Sequence, residues 1–458
     1  MNLFIRVALV VGVMCGGAIA DGPSIQDLVD AAKAGDEIRV PGGVYPGAVL
    51  IDRPISLVAD GEAVIQGSGR GDVLTITAPD VSIRGFRITG TGDSLDRENA
   101  GIVVTADRVV IEDNRLDDVL FGIYLKESRD SVIRNNRIGG KPLPEPRRGD
   151  AIRLWQSPGA LIEGNVVKGS RDLIMWFSDD VVLRGNRVSD GRYGMHFMYS
   201  NDNLLEDNVL VDNSVGAFLM YSRDLVVRRN VIARNRGPSG FGIGLKDLDG
   251  LLAEDNLLIG NRVGLHLDNS PSEVDVFHLV RRNVLAYNDV GMGFLPNVTR
   301  NRFTENTFVD NVEQVSILGA GEVKGNEFAV DGRGNFWSDY RGYDLDDDGV
   351  GDFPYRADAF FENLVDRHPR MRLFLFSPVQ HALEAAARAF PVVGPTARIT
   401  DPSPLVEMVK PRIDVPSSPR LEGSVASLVL LAIGLMCLAP AAMLAERRFA
   451  SSMESRSE

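Results

Sequence analysis

The chain has 458 residues, with 63 acidic against 49 basic side chains and a formal net charge of −14. That balance, without a basic stripe, argues against nucleic acid as a partner. The only two cysteines, Cys15 and Cys437, lie in apolar segments, so the chain between them has no disulfide and no thiolate ligand.

In chain order, residues 1–20 read as a signal peptide. Arg6 precedes the apolar run Val7–Val13, and Ala18-Ile19-Ala20 supplies the small-residue cleavage pattern before Asp21. Cys15 would suit a lipid anchor, but Met14 before it fits poorly. Ser24–Ala34 has the pattern of a short amphipathic helix that closes the first coil edge, where open strands would invite aggregation. Weak coils follow at Val64-Ile-Gln-Gly, Val73-Leu-Thr-Ile-Thr and Val81-Ser-Ile-Arg-Gly.

From Ile111 to Phe328 one pattern recurs: apolar, two residues, Asn, any residue, apolar. Its asparagines are Asn114, Asn136, Asn165, Asn186, Asn208, Asn230, Asn256, Asn283, Asn306 and Asn326. The intervals cluster near 22 residues, which is the signature of a solenoid whose neighbouring repeats supply each other's buried face. Between the turns, apolar residues alternate by two over short Val/Ile/Leu/Phe segments, so the repeats are strands. The fold expected is all-β, a right-handed parallel β-helix over 21–375. The Asn is expected at a tight corner, in the left-handed backbone region and stacked from coil to coil. Longer intervals mark loops at Gly139–Gly149, Arg236–Gly240 and Pro271–His278.

Midway through each coil a second strand begins at Gly122, Ala151, Gly194, Gly216, Gly242, Gly264 or Gly291. Offsets one and three from that residue are uniformly apolar and read as core, for example Met195 and Phe197, or Ala217 and Leu219. Offsets two and four are then expected to face solvent, and there the chain places Trp155, Trp176, His196, Met198, Phe218, Met220 and His266. A contiguous apolar face of this kind suits a partner, with Trp155, Trp176, Phe218 and His266 as contacts. His196, Met198 and Met220 lie within about 5–7 Å by strand geometry. Thioether and imidazole without thiolate suit Cu(I), although the methionines also serve as adaptable filler beneath a docked protein. The remaining histidines, His278, His368 and His381, read as surface residues.

Asp130, Asp180, Asp202 and Asp224 recur at one corner and read as turn residues bonding their own backbone. Asp344, Asp346, Asp348 and Asp352 resemble the first half of a calcium loop. Position twelve is Tyr355 instead of a bidentate carboxylate, so a rigid acidic turn is the competing reading. Residues 376–423 read as a short helix (Val379–Phe390) and a Pro-rich linker, and Ser424–Leu444 is an uncharged stretch long enough to span a bilayer. Glu446-Arg447-Arg448 after it favours a cytoplasmic tail at 445–458, leaving the solenoid on the exported side.

The stretch Gly334-Asn-Phe-Trp-Ser-Asp-Tyr-Arg-Gly-Tyr-Asp344 through Asp348-Gly-Val-Gly-Asp-Phe-Pro-Tyr355 resembles the terminal signature of the NosD family of nitrous oxide reductase maturation proteins. With the Asn-ladder coils, the resemblance runs from about Asp21 to Arg370. It implies a non-enzymatic periplasmic accessory protein, tethered to the inner membrane by the C-terminal helix. Such a protein works with the ATPase and permease subunits of an ABC transporter and with a copper chaperone, and assists copper delivery to nitrous oxide reductase. No phosphate-binding Gly-Lys-Ser loop occurs, so ATP hydrolysis falls to a partner. The competing reading is a carbohydrate-binding or polysaccharide-degrading β-helix, in which exposed tryptophans stack on sugar rings.

Overall fold

The computed structural model describes residues 23–413, apart from 297, 318–322, 358–367 and most of 375–396. The signal peptide, the membrane span and the tail lie outside the described residues, as does most of the expected helix Val379–Phe390. No helix among the described residues is long and apolar enough to cross a membrane.

The chain forms a parallel β-solenoid of about 12 turns. Each coil contributes one strand to a 12-stranded sheet, and a 23-stranded sheet folds around the remaining sides. Register is regular apart from shifts at Pro41/Gly43, Ile138/Gly140 and Asp172/Ile174: Ile152 pairs with Leu173, Met198 with Met220, and Ile243 with Leu265. Consecutive copies of one side chain therefore stack about 4.8 Å apart. The inward columns are the core, with Ile123, Leu154, Met175, Phe197, Leu219 and Phe294 all fully buried. At the N-terminal end a helix spans Ile25–Ala31, with Ser24 and Asp27 forming a reciprocal capping box. Its buried Ile25 and Val29 cover the first coil.

The asparagines form a continuous buried ladder, but not in the way the corner argument expects. In each rung the backbone N–H and the side-chain Nδ2 donate to Oδ1 of the Asn one coil on: Asn186 to Asn208 at 2.9 and 3.0 Å, Asn208 to Asn230 at 3.0 Å for both. The second Nδ2 proton goes back to a main-chain carbonyl, as from Asn208 to Leu183 at 2.9 Å. The residue with positive φ is the one before: Asp113, Asn135, Asp207, Arg229 and Asp255. The ladder Asn instead turns inward, where only an amide can donate both ways and accept at once. The ladder ends differently too. Asn306 donates to Asn335, whereas Asn326 accepts from Asn301 on a neighbouring column.

Two further ladders run beside it. Asn213, Asn235, Asn261, Asn288 and Asn311 bond in series five residues after the first set. Ser128, Ser157, Ser178, Ser200 and Ser222 pass hydroxyl acceptors to the preceding coil's N–H. At the mid-coil glycines the coils come very close. A Cβ on Gly194 would sit 2.5 Å from the Gly216 carbonyl oxygen, and one on Gly216 would sit 2.4 Å from Ile232 Cγ2. A side chain there would force the coils apart.

Residues 397–413, expected to be part of a free linker, are docked on the solenoid. Thr400–Asp401 pairs antiparallel with Tyr355–Arg356. Asp401 accepts hydrogen bonds from the Asn335 N–H at 2.7 Å and from Trp337 Nε1 at 2.9 Å. The chain then runs back along the flank: Val409 bonds Thr307 and the Arg412 N–H reaches Asp255 Oδ1. Met408 and Ile413 lie on an outward apolar stripe of Val211, Val231, Ala233, Leu257, Ile259, Val284 and Ala286. Earlier coils carry mostly polar residues on the corresponding outer positions, Arg137, Lys168 and Arg187 beside an exposed Val166.

Candidate functional site

The outer face of the 12-stranded sheet, from Trp155 to His266, holds the aromatic, histidine and methionine residues that the sequence singles out. Met195 and Ala217 are sealed in the core while Met198 and Met220 are half-exposed, so the inward–outward alternation holds. Offset two departs from the expectation of solvent exposure. Ile174 is buried, and His196 and His266 are each 6 % exposed. Bulky residues that open the strands fold over the two histidines. Tyr193 lies edge-on to His196 at 4.9 Å and Phe241 stacks on His266 at 4.1 Å. Phe218, half-buried, sits between Tyr193 and Phe241 at 5.5 and 6.0 Å. Further up, Leu95 and Leu143 roof Phe121 and Tyr124.

A charged network is enclosed beneath this apolar cover. Arg171 forks onto Asp150 at 3.0 and 3.3 Å, and Arg192 forks onto Asp172 in the next coil. Arg153 pairs with Glu98 at 2.8 Å and lies 5.0 Å from the Tyr124 ring. Burial and the neighbouring Asp172 charge push the Asp150 carboxyl up to about 6. Burial also works on Asp172, but His196 and Arg192 outweigh it and hold that carboxyl below its usual value.

His196 Nδ1 lies 3.4 Å from Asp172 Oδ2, too poorly aligned to count as a hydrogen bond. Neither ring nitrogen of His196 has a hydrogen-bond partner among the described residues. A buried imidazole with a carboxylate behind one nitrogen and nothing on the other is the arrangement found behind metal-ligating histidines. Met198 follows two residues along the strand and Met220 is its register partner on the next coil. The donor set available here is imidazole with thioethers, which fits soft Cu(I).

Trp155 and Trp176 meet edge to face at 5.5 Å. The column beside them was not anticipated. Phe177 stacks on Tyr199 and Tyr199 on Tyr221, both at 5.1 Å with rings nearly parallel. All three directly follow offset four in successive coils, a regularity visible at 22-residue spacing in the sequence. Asp180, Asp202 and Asp224 do occupy corners with positive φ. Their side chains make no hydrogen bond or ion pair among the described residues. The cross-coil bonds come from the residues before them instead, with the Asn201 N–H on Asp179 and the Arg223 N–H on Asn201.

His278 is fully buried, contrary to the surface reading, and bonds the Leu248 carbonyl at 3.0 Å through Nε2. It takes a ladder position, paired in register with Asn301. His368 is exposed, and His381 lies outside the described residues. At the far end, Asp344, Asp346 and Asp348 bring one oxygen each within 4.8 Å of one another. Asp344 already takes the N–H groups of Asp348 and Gly349, and Asp352 takes that of Leu345. The loop insertions at 139–149 and 236–240 border a polar cleft of about 430 Å³, lined by Glu145, Asp190, Asp212, Arg234 and Arg236.

Fold and site together define a parallel β-solenoid whose outer face sets a roofed imidazole beside two thioethers. Residues 138–342 match the family described as periplasmic copper-binding protein (NosD). The chain is 32 % identical over 407 residues to a probable ABC transporter binding protein NosD of Pseudomonas aeruginosa, covering 86 % of this chain and 94 % of that one. It is 31 % identical over 411 residues to its counterpart in Stutzerimonas stutzeri, covering 86 % and 92 %. The chain belongs to the NosD family. Among solved structures it is similar to a thermostable GH87 α-1,3-glucanase from Streptomyces thermodiastaticus, with TM-score 0.56, 14 % identity and 72 % and 69 % of the two chains covered. The Azotobacter vinelandii mannuronan C-5 epimerase AlgE6 A-module is similar at TM-score 0.51 and 15 % identity, covering 67 % and 92 %. These two show the solenoid fold and nothing of the chemistry.

Proposed function

We propose that the chain is a non-enzymatic periplasmic accessory protein that docks on an ABC transporter and handles Cu(I) as cargo for maturation of nitrous oxide reductase. On this reading it receives copper from a chaperone, works beside the ATPase and permease subunits, and is held to the inner membrane by residues 424–444. The observation that carries the copper half is His196: buried, unpartnered at Nε2, backed by Asp172, and sharing its strand with Met198 beside Met220. The relatives named as ABC transporter binding proteins support the transporter half.

The test is competition for Cu(I) against a colorimetric chelator, with wild type compared to a variant carrying His196→Ala, Met198→Ala and Met220→Ala. A loss of at least ten-fold in affinity is expected. Equal affinity removes this site and leaves the transporter role to be judged by co-purification. We propose the acidic loop at Asp344, Asp346 and Asp348 as a calcium position. Millimolar calcium then raises the melting temperature of wild type and not of Asp346→Asn, and the absence of any shift leaves a self-ordered turn.

Carbohydrate chemistry is less well served. The faces of Phe177, Tyr199 and Tyr221 lie against one another, so sugar rings find mostly edges. Asp150 and Asp172 are each forked by an arginine and buried, and neither is placed as an acid or base for a polymer outside.

A further inference from the structure

We propose that the column Phe177–Tyr199–Tyr221, with Trp155 above it and Asp180, Asp202 and Asp224 beside it, receives an amphipathic helix of a partner protein whose apolar stripe is flanked by lysine or arginine. The inference rests on the docking role proposed above and names the kind of element that docks.

The first observation is backbone strain. Phe177, Tyr199 and Tyr221 have φ of 51°, 52° and 51°. Left-handed backbone is uncommon for any non-glycine residue and an outlier for bulky ones. The same corner in later coils is filled by Asp247 and Asn269, which adopt that conformation cheaply. The fold therefore does not need aromatics there. They are also wet, with Phe177 and Tyr199 at 42 % and 45 % exposure. Strain kept at an exposed position is a mark of function when the scaffold has a cheaper alternative.

Charge is the second observation. Elsewhere this solenoid pairs its stacked carboxylates with arginine: Asp80 with Arg108, Asp207 with Arg229, Asp212 with Arg234, Asp255 with Arg282. The three aspartates that lie three residues beyond each aromatic are left unpaired among the described residues, and all are exposed. An apolar rail with an unneutralised acidic rail beside it complements an apolar stripe with a basic flank.

The third is the repeat. Ring centroids step by 5.2, 5.1 and 5.1 Å from Trp155 to Tyr221. A helix lying along the solenoid axis advances about 5.4 Å per turn. One apolar side chain per turn thus stays in step with the rail over three turns, the helix-in-groove mode of recognition.

The probe is a fluorescent 18-residue helical peptide with one Leu or Phe per turn and flanking lysines, titrated by anisotropy into the detergent-solubilised full chain. Controls are the same peptide with flanking glutamates and a scrambled order. Wild type is expected to bind the lysine peptide at least ten-fold more tightly than either control. A variant with Phe177→Asn, Tyr199→Asn and Tyr221→Asn is expected to lose at least ten-fold while melting no lower than wild type, since Asn relieves the strain. Asp180→Asn, Asp202→Asn and Asp224→Asn together are expected to weaken binding several-fold and to remove its salt dependence. Unchanged affinity in the aromatic variant, or equal binding of lysine and glutamate peptides, overturns the proposal. So does binding of wild type, and not of the aromatic variant, to anionic phosphatidylglycerol vesicles without any peptide binding, which would make the rail a lipid contact. Cu(I) affinity measured on the same variants separates the two readings. Retained Cu(I) binding with no peptide binding removes the helix alone, and peptide binding without Cu(I) binding removes the cargo role alone.

Discussion

Asn208 shows how much rests on one side chain here. It accepts from the Asn186 N–H and Nδ2, and it donates to Asn230 Oδ1 and the Leu183 carbonyl, all out of water. Each buried polar group left unpaired costs about 1–3 kcal/mol. Asn208→Ala strands several at once and is expected to cost about 3 kcal/mol or more, read as a shift in the urea midpoint. At the surface, by contrast, Arg302–Glu327 is an exposed pair worth about 0–1 kcal/mol, and its loss is expected to move nothing measurable. Histidine burial sets the acid limit. Desolvation lowers His266 and His278 to about 4 from 6.5. The unfolded imidazoles then take up protons that the folded ones refuse, so stability is full above pH 6.5 and is lost as pH falls toward 4. Each contributes on the order of 3 kcal/mol by the 1.36 kcal/mol per unit conversion. Asp150, raised to about 6 from 3.8, gives back a similar amount over much of that window; buried Asp401, also raised, acts in the same direction, and Asp172, held below its usual value, in the opposite one. Chemical denaturation from pH 7 to pH 4 is expected to show falling stability in wild type and a flatter profile in His278→Gln.

At the scale of elements, strands and core columns were legible because burial on one side imposes a period of two and stacking imposes a period near 22. Met195 and Ala217 inside, Met198 and Met220 outside, follow from that alone. Three things did not. Offset two looked solvent-facing because alternation says which way a side chain points and not what lies over it; Tyr193 and Phe241 are what bury His196 and His266. Asn does sit at the corner, but the residue before it takes the positive φ, because the hydrogen-bonding capacity of Asn outweighs its backbone tolerance and turns its side chain inside. The docking of residues 397–413 was hidden by their prolines, which mark an extended chain whether or not it has something to lie on. That segment invites a direct check. Asp401→Ala leaves the Asn335 N–H and the Trp337 indole N–H without their acceptor and loosens the strap at its root. Expected outcomes are a lowered melting temperature and new binding of a hydrophobic dye to the stripe of Leu257, Ile259, Val284 and Ala286. An unchanged dye signal would mean that Met408 and Ile413 hold the strap unaided.

The whole molecule is a line of nearest-neighbour contacts, so its stability is a sum of coils and interfaces and need not be uniform. The Asn ladder begins where the Phe86 N–H meets Asn114, leaving the coils before it without that series. Those coils, from Glu37 to about Arg84, are held by strand pairing, a Val/Ile core and the N-terminal helix. Native-state hydrogen exchange is expected to show them opening before the coils between Asn165 and Asn283, where first a serine ladder and then a second amide ladder runs beside the first. Uniform protection along the solenoid would show that the ladders add nothing beyond the core. The positions proposed for copper and for the docked helix both lie in the doubly reinforced middle, which suits contacts that must keep their spacing under load.

One consequence of the asparagine series reaches beyond stability. Main-chain amides in the parallel sheets point alternately up and down the axis and largely cancel. The ladder amides do not, because from Asn114 to Asn335 each Oδ1 accepts from the coil before and one Nδ2 proton goes to the coil after, while the other returns to a main-chain carbonyl. Such a chain polarises in one sense and gathers partial positive charge at its last donor. Asp401 sits at that terminus, so its carboxylate plays for the solenoid the part an acidic residue plays at the start of an α-helix. The protein thus has an electrical head and tail along its length, and its returning C-terminal strand is fastened at the electropositive pole.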